Sequence, residues 1–275
     1  MSEHCLTSGD EVLAFSHHEL DISDYEQVNS KILSHKPDAV VNCAAWTNVD
    51  ACEDDPKRAH AANALGPENL AHSCRKVDAV LLTVSTDYVF DGTKEGFYTQ
   101  RDNPNPLSVY AASKLSGEHR AQTAHARTIV VRTGYIFGRG GTNFLSTMVD
   151  RALRGEELKL ISDSWGTATY APHLARRLRE LIVKDLPATF HVVNAGNGVS
   201  YDEFAKVALK IANCTTAKLK VVSSDSLKRP AARPRNSRLK CLLSEAIGLK
   251  PLPSWEEGLR EFLQTPDKSA VGHRK

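Results

Sequence analysis

The chain has 275 residues, 41% of them hydrophobic and 25% charged, with a formal net charge of +2. That is the composition of a globular protein of one large or two smaller domains, and its near-balanced charge gives no global case for nucleic acid or a membrane surface as partner. No apolar stretch approaches a membrane span, Met1 to Thr7 has no apolar leader core, and the 6 cysteines include no Cys-x-x-Cys pair, which together fit a reduced cytoplasmic protein.

Taken in order, the chain alternates strands and helices. Ser2 to Ser8 reads as the end of a helix, and Gly9-Asp10 turns into a short strand, Glu11 to Phe15. A helix follows from Asp24 to His35, with Pro37 beyond its end. Asp38 to Cys43 is a strand in which Cys43 is expected to be buried, followed by a loop through Asp50. Pro56 to Lys76 is helical, and Asp78 to Ser85 is a strand feeding a polar loop. Pro104 and Pro106 exclude an earlier start for the next helix, which begins at the cap Ser108 and reaches about Gln122. Strands at 127–132, 158–161 and 189–193 then alternate with helices at 143–154, 172–184 and 200–211, the last capped by Ser200 or Asp202 with Glu203 nearby. From about Lys218 the pattern breaks up, and 265–275 reads as a polar tail. No repeat is present. Alternation of this kind predicts an α/β fold, a Rossmann-like doubly wound parallel sheet. Residues 1–150 are expected to form a dinucleotide-binding domain, with the strand and helix around 171–195 returning to it, and 151–275 a smaller substrate-binding part.

The chemistry concentrates in Thr83-Val-Ser-Thr-Asp-Tyr-Val-Phe-Asp-Gly92 and Tyr110-Ala-Ala-Ser-Lys114. Ligands of parallel α/β sheets bind at the carboxyl ends of strands. Tyr110 and Lys114 are four apart, so a helix puts them on one face, one turn apart. A phenol has a reference pKa of about 10, and a neighbouring cation favours the phenolate. Tyr110 is therefore placed to protonate a carbonyl oxygen as hydride reaches its carbon, with the Thr86 hydroxyl on the same oxygen. A bare Tyr-x-x-x-Lys is more often a surface tyrosine and a solvated lysine. The strand end before it and the helix around it favour the catalytic reading.

A Rossmann sheet opens on a strand and a Gly-rich turn that brings a pyrophosphate to a helix N-terminus. No Gly-x-x-Gly-x-x-Gly occurs near the start of this sequence. The chain is therefore expected to begin about one strand and most of a helix late and to hold a dinucleotide weakly. Gly138-Arg-Gly-Gly141 reads as a flexible loop. The basic run Lys228, Arg229, Arg233, Arg235, Arg238, Lys240 is either a solvated face or a clamp in which one or two arginines grip a diphosphate. Phe15-Ser-His-His18, where the second strand ends, would tolerate a 2′-phosphate and so favours NADPH over NADH. No metal-ligand spacing appears among the 11 histidines.

Several motifs occur in one order: Asp21-Ile-Ser-Asp24, Asn42-Cys-Ala-Ala-Trp-Thr-Asn-Val-Asp50, Asn63-Ala-Leu-Gly-Pro67, Ser85-Thr-Asp-Tyr-Val-Phe-Asp-Gly-Thr93, Asn105-Pro-Leu-Ser-Val-Tyr110, Arg132-Thr-Gly-Tyr135, Asn143-Phe144, Asp163-Ser-Trp-Gly-Thr-Ala-Thr169 and Arg233-Pro-Arg-Asn-Ser-Arg238. From about Gly9 to Leu263 this set resembles the dTDP-4-dehydrorhamnose reductase family of extended short-chain dehydrogenases/reductases. The resemblance implies reduction of the 4-keto group of dTDP-4-dehydro-L-rhamnose with NADPH, or with NADH. It implies Thr86, Tyr110 and Lys114 as the catalytic trio, and Asp87, Tyr88 and Tyr135 at the sugar, Tyr135 standing where the family commonly has Trp. From the basic run, Arg235 is expected at the substrate. Ala44, Ala45, Trp46, Asn63, Thr83, Tyr110 and Lys114 fall to the cofactor, and Asp21 and Ile22 to its adenine end.

Bland readings stand beside these roles. Asp21 would serve equally as a helix cap, the two alanines as packing against a helix, and Trp46 as core. A dTDP-sugar is the implied partner, and a homodimer is allowed. Two alternatives remain: an epimerase or dehydratase of the same superfamily, which an acid such as Asp87 after the threonine would suit, and a non-catalytic NADP-binding regulatory subunit like that of methionine adenosyltransferase.

Overall fold

The structure is a computed structural model and describes residues 1–264; the polar tail expected over 265–275 lies outside the described residues. Helix α1 (Ser2–Thr7) leads through residues without regular structure to α2 (Tyr25–His35). Asp24 caps α2 by accepting from the Gln27 amide, and Lys36 closes it in the left-handed region at φ 44°. Strand β1 (Ala39–Asn42), α3 (Val49–Asp54), α4 (Pro56–His60) and α5 (Gly66–Val77) come next. A π turn, Ala61–Leu65, joins α4 to α5, so the chain stays helical from Pro56 to Val77. Strand β2 (Val80–Thr86) is followed by α6 (Val109–Ala124) and β3 (Thr128–Thr133).

The remaining elements are β4 (Ile136–Phe137), α7 (Phe144–Leu153), β5 (Glu157–Ile161), β6 (Trp165–Gly166), β7 (Thr169–Tyr170), α8 (Ala171–Lys184), β8 (Thr189–His191), β9 (Val199–Ser200), α9 (Tyr201–Ile211), β10 (Lys218–Val222), α10 (Leu242–Ala246) and α11 (Trp255–Gln264). Ser200 caps α9 through a complete capping box with Glu203, which settles the choice between Ser200 and Asp202.

The main sheet has four parallel strands in the order β1-β2-β3-β8. Side chains alternate across it. Leu81 joins Val28, Ile32, Leu70 and Ala121 of α2, α5 and α6 on one face. Val80, Leu82, Ile129 and Val131 join Leu174, Leu178 and Leu181 of α8 on the other. Burial on both faces is why β2 and β3 read as continuous apolar runs.

A second core, with Met148, Leu158, Leu160, Phe204 and Leu259, gathers α7, α9 and α11 around β5. Here β10 pairs parallel with β5, from Lys218 opposite Glu157 to Val222 opposite Ile161. The sequence pattern was expected to dissolve at Lys218; it hides a strand because four of the five residues are exposed. The strand expected at Glu11–Phe15 is absent. A strand needs a neighbour, and among the described residues β1 pairs only with β2. Phe15 instead lies edge-on to His35 and beneath the Lys31 ammonium. Among the described residues, no helix is long and apolar enough to cross a membrane.

Candidate functional site

The carboxyl ends of β1, β2 and β3 open into a cavity of about 420 Å³. Thr86 ends β2, and its hydroxyl caps the short 3-10 turn Asp87–Val89 by accepting from the Tyr88 amide at 3.1 Å. Ser108 caps α6 by accepting from Ala111 N, and Glu53 accepts from Val109 N at 2.8 Å. Those two bonds fix the first turn of α6, which carries Tyr110 and, one turn on, Lys114. Thr86, Tyr110 and Lys114 are all buried and all line the cavity.

Burial pushes the Tyr110 phenol up to about 12, and a hydrogen bond with Thr86 acts against the rise. The expected lowering of this phenol by Lys114 is not what the structure holds. The Lys114 ammonium donates to the main-chain oxygen of Val84 at 2.7 Å, and burial lowers Lys114 to about 8. Opposing that burial is Glu118, one further turn along α6. The Glu118 carboxylate accepts from Ser85 Oγ at 2.5 Å and from Arg132 Nη2 at 2.6 Å, all three side chains being buried. Sequence reading missed this network, although a Glu four residues after Lys114 was a visible signal.

Asp87 is buried and faces the cavity without a cation on it. Burial raises its carboxyl to about 6, against hydrogen bonds from Ser237 and Thr86. Gly134 lies so close that an added side chain would run into the Asp87 carboxylate. Tyr88 meets the Tyr110 ring edge-on at 6.3 Å. Tyr135 is held at φ 45°, a left-handed conformation costly for a tyrosine, and its ring lies 4.7 Å from that of Tyr201. Tyr201, Phe144 and Ser237 were missed as site residues. Their places are set by tertiary packing, with Asn143-Phe144 and Asn236-Ser237 visible beforehand only as motif pieces.

The other expected residues divide. Ala45 lines the cavity, and so does Cys43, which is exposed rather than buried because β1 ends at Asn42. Ala44 donates its amide to Asn42 Oδ1 at 3.0 Å, and Thr83 accepts from Asn42 Nδ2 at 3.1 Å inside the sheet. Trp46 is half-buried with the Arg58 guanidinium 4.6 Å from its ring. Asn63 pins Trp46 through both main-chain groups, at 2.8 and 3.0 Å, and bonds Ser113. Asp21 accepts from Ser23 N and Oγ at 2.9 and 2.7 Å, while the helix cap is Asp24. Ile22 packs into the core of α2 and α5.

Arg235 turns away from the cavity to Asp225, at 2.5 Å and largely exposed. The charges of Arg229 and Arg233 both reach Tyr201 of the cavity wall, and Arg233, which also reaches Tyr88, is gripped by Asp50. Among the described residues no His, Cys, Asp and Glu group could hold a metal ion.

The donor set fits the nicotinamide end of a dinucleotide. Small residues at Cys43 and Ala45 flank a lysine with donors to spare and a phenol at strand ends. The sequence itself carries no Gly-rich phosphate cradle.

A family model described as the RmlD substrate binding domain matches residues 1–267. The dTDP-4-dehydrorhamnose reductase of Streptomyces griseus is 37% identical over 259 residues, 92% of this chain and 85% of that protein. Its counterpart in Mycolicibacterium smegmatis (strain ATCC 700084 / mc(2)155) is 34% identical over 264 residues, 95% of this chain and 80% of that one. A crystal structure of dTDP-4-dehydrorhamnose reductase from Bacillus anthracis str. Ames, in complex with NADP, superposes with a TM-score of 0.90 at 35% identity, covering 95% of this chain and 92% of that one. On the family match, these identities and the shared fold, the chain belongs to the dTDP-4-dehydrorhamnose reductase family.

Proposed function

We propose that the chain reduces the 4-keto group of dTDP-4-dehydro-L-rhamnose to give dTDP-L-rhamnose, using NADPH. The observation that carries this reading is the meeting of Thr86, Tyr110 and Lys114 on one cavity at the sheet's carboxyl ends. NADPH, when bound, supplies hydride to the carbonyl carbon. Cys43, Ala45 and Lys114 would hold its nicotinamide end, with Asp21 and Ile22 toward the adenine end. Tyr110 gives its proton to the carbonyl oxygen, which the Thr86 hydroxyl orients. Lys114 holds positive charge one turn away, stabilising the phenolate that forms. Tyr88, Tyr135 and Tyr201 bring aromatic walls to the sugar, and Arg233 brings a planar cation to the diphosphate. The sheet with α2 to α6 and α8 thus serves the cofactor, and the part around β5 and α9 the substrate.

The test is NADPH absorbance with purified chain and a panel of nucleotide-linked 4-keto sugars. Oxidation with the dTDP compound is expected. Oxidation only with UDP- or GDP-linked sugars, or conversion of the dTDP sugar with no net NADPH loss, would overturn the assignment, the latter in favour of an epimerase or dehydratase.

A further inference from the structure

We propose that Glu118 is a positioning residue for the reduction: with Arg132 and Ser85 it forms a buried clamp that sets Tyr110 and Lys114 of α6 against the end of β2, and its carboxylate supplies the negative charge that faces the Lys114 ammonium. The proposal rests on the reductase reading above and adds to it a residue outside the trio.

Two successive residues of β2 are tied to α6, and the next one is Thr86. The Val84 main-chain oxygen accepts from Lys114 Nζ at 2.7 Å. The Ser85 hydroxyl donates to Glu118 Oε1 at 2.5 Å. Tyr110, Lys114 and Glu118 are four apart, so they follow one another down one face of α6. Ser85 and Arg132 are register partners on β2 and β3. Ser85 shares its side of β2 with Leu81, which packs with Ala121 of α6. Glu118 closes over the Ser85–Arg132 pair. It accepts from Arg132 Nε at 3.0 Å and from Nη2 at 2.6 Å, a bidentate grip. Glu118 is 2% exposed, Ser85 6% and Arg132 7%. The guanidinium lies 5.3 Å from the centre of the Phe90 ring.

An apolar pair of the same volume would fill this space without the cost of desolvating two charges. What the ionic version adds is direction: bonds of set length join one turn of α6 to β2 and β3 at once, one residue from Thr86. It also adds charge. The titratable groups that act on Lys114 are Glu118 on its own helix and Cys43 just past β1. Tyr110 stands one turn before it, and behind Glu118 stand Arg132 of β3 and His191 of β8, register partners. Burial disfavours the ammonium, and Glu118 is the larger of the two influences that oppose burial. With a neutral amide in place of the carboxylate, Arg132 loses its counter-charge and two cations share one dry region.

The test uses the full chain. Glu118→Gln is expected to lower kcat about tenfold, with KM for the keto sugar within about twofold of wild type. The pH at which kcat/KM falls on the alkaline side should drop by about one unit. Glu118→Asp keeps the charge at shorter reach, and Ser85→Ala removes one strut and no charge. Both should lower kcat and leave the alkaline fall in place. A readout without substrate is the NMR titration of isotope-labelled Lys114 Cε, identified by its loss in Lys114→Met. It should move down in Glu118→Gln and stay in the other two. A residue that only holds the fold would lower Tm and leave the Lys114 titration and the alkaline fall where they are, and that result overturns the proposal. Unchanged kcat in Glu118→Gln also overturns it, and so does an equal shift in Glu118→Asp. If Glu118→Gln does not fold, Ser85→Ala decides the clamp, an unchanged kcat overturning it. The charge is then decided by Glu118→Leu/Arg132→Met, which removes both charges and keeps the volume; a Lys114 titration that stays in place there overturns it. A wild-type chain that oxidises no NADPH overturns the reductase reading, while the NMR titration still decides whether Glu118 keeps Lys114 charged.

Discussion

Asp50 grips Arg233 with both carboxylate oxygens, Oδ1 to Nη1 and Oδ2 to Nη2 at 2.7 Å each, and also accepts from the Ala231 amide at 3.1 Å. The pair ties α3, which follows the first strand, to the proline- and arginine-rich segment that carries Ser237. Asp50→Asn keeps the shape but removes the charge. The pair is partly solvent-exposed, so screening limits its worth to about 1 kcal/mol of stability. The larger expected effect is on KM for the keto sugar, raised about tenfold because Arg233 and the segment behind it lose their anchor. Steady-state kinetics decide this, and an unchanged KM refutes it.

Tyr110→Phe removes the proton and keeps the ring. With burial and the edge-on contact to Tyr88 preserved, kcat is expected to drop by about 10²–10⁴ with little change in fold or substrate affinity. Near-wild-type kcat would remove Tyr110 from the chemistry.

Lys114 predicts an alkaline limit on activity. Its folded pKa is lowered from 10.5 to about 8 by burial, so the ammonium that stabilises a phenolate is lost as pH rises through about 8. kcat/KM in the free enzyme should fall there, and Lys114→Met should lack that limb at much lower activity. For stability the sign is separate: the folded state binds fewer protons than the unfolded between about 8 and 10.5, so Lys114 adds stability as pH rises across that window. A wild-type profile flat to pH 9 would contradict the assignment.

His191 predicts acid sensitivity of the fold. It is buried and lowered from 6.5 to about 4, burial first and the Arg132 charge second. A lowered folded pKa means its contribution is complete above 6.5 and is lost as pH falls toward 4. Asp87, raised to about 6, acts in the opposite sense over part of that range, so the comparison must be between variants. His191→Gln keeps a donor for the Lys240 oxygen, which His191 Nδ1 meets at 3.0 Å. The wild type should lose more Tm than this variant between pH 7 and pH 5, by roughly 5 °C. Parallel losses would show that His191 is not the sensor.

Gly117 marks where α6 presses on the π turn. A methyl there would run into the Asn63 carbonyl oxygen, backbone that has nowhere to go. Gly117→Ala should cost about 1–3 kcal/mol despite the better helix propensity of alanine. Chemical denaturation measures it, and a stabilised variant would contradict the contact.

The fold was legible where periodicity and caps agree. Asp24, Ser108 and Ser200 each begin a helix by accepting the expected amide, and the apolar runs became β2 and β3. That Tyr110 and Lys114 meet at one cavity was legible because helical spacing places them on one face without any tertiary information. What failed needed partners. Glu11–Phe15 has strand composition and no strand beside it, while Lys218–Val222 looks polar and pairs with β5. Arg233 and Arg235 are indistinguishable in sequence, and the structure tells them apart by the acids they meet, Asp50 and Asp225, and by burial, Arg233 being half-buried and Arg235 largely exposed. Burial reversed the expected sign at Tyr110, and burial is not written in a motif.

The π turn at Ala61–Leu65 gives one stretch of helix an extra residue in its winding. Removing a residue there, at Ala61 or Ala62, would restore ordinary winding with α4 and α5 still in phase, and would re-aim the side chains of the turn itself, Asn63 among them. Asn63 could then no longer meet both the Trp46 main chain and Ser113, which it now joins at 2.8, 3.0 and 3.0 Å. The extra residue of one helical turn thus sets where the loop after β1 stands, through Asn63 and the Trp46 main chain. A single-codon deletion in that turn would in this way disturb the wall of the cavity while leaving Thr86, Tyr110 and Lys114 in the sequence.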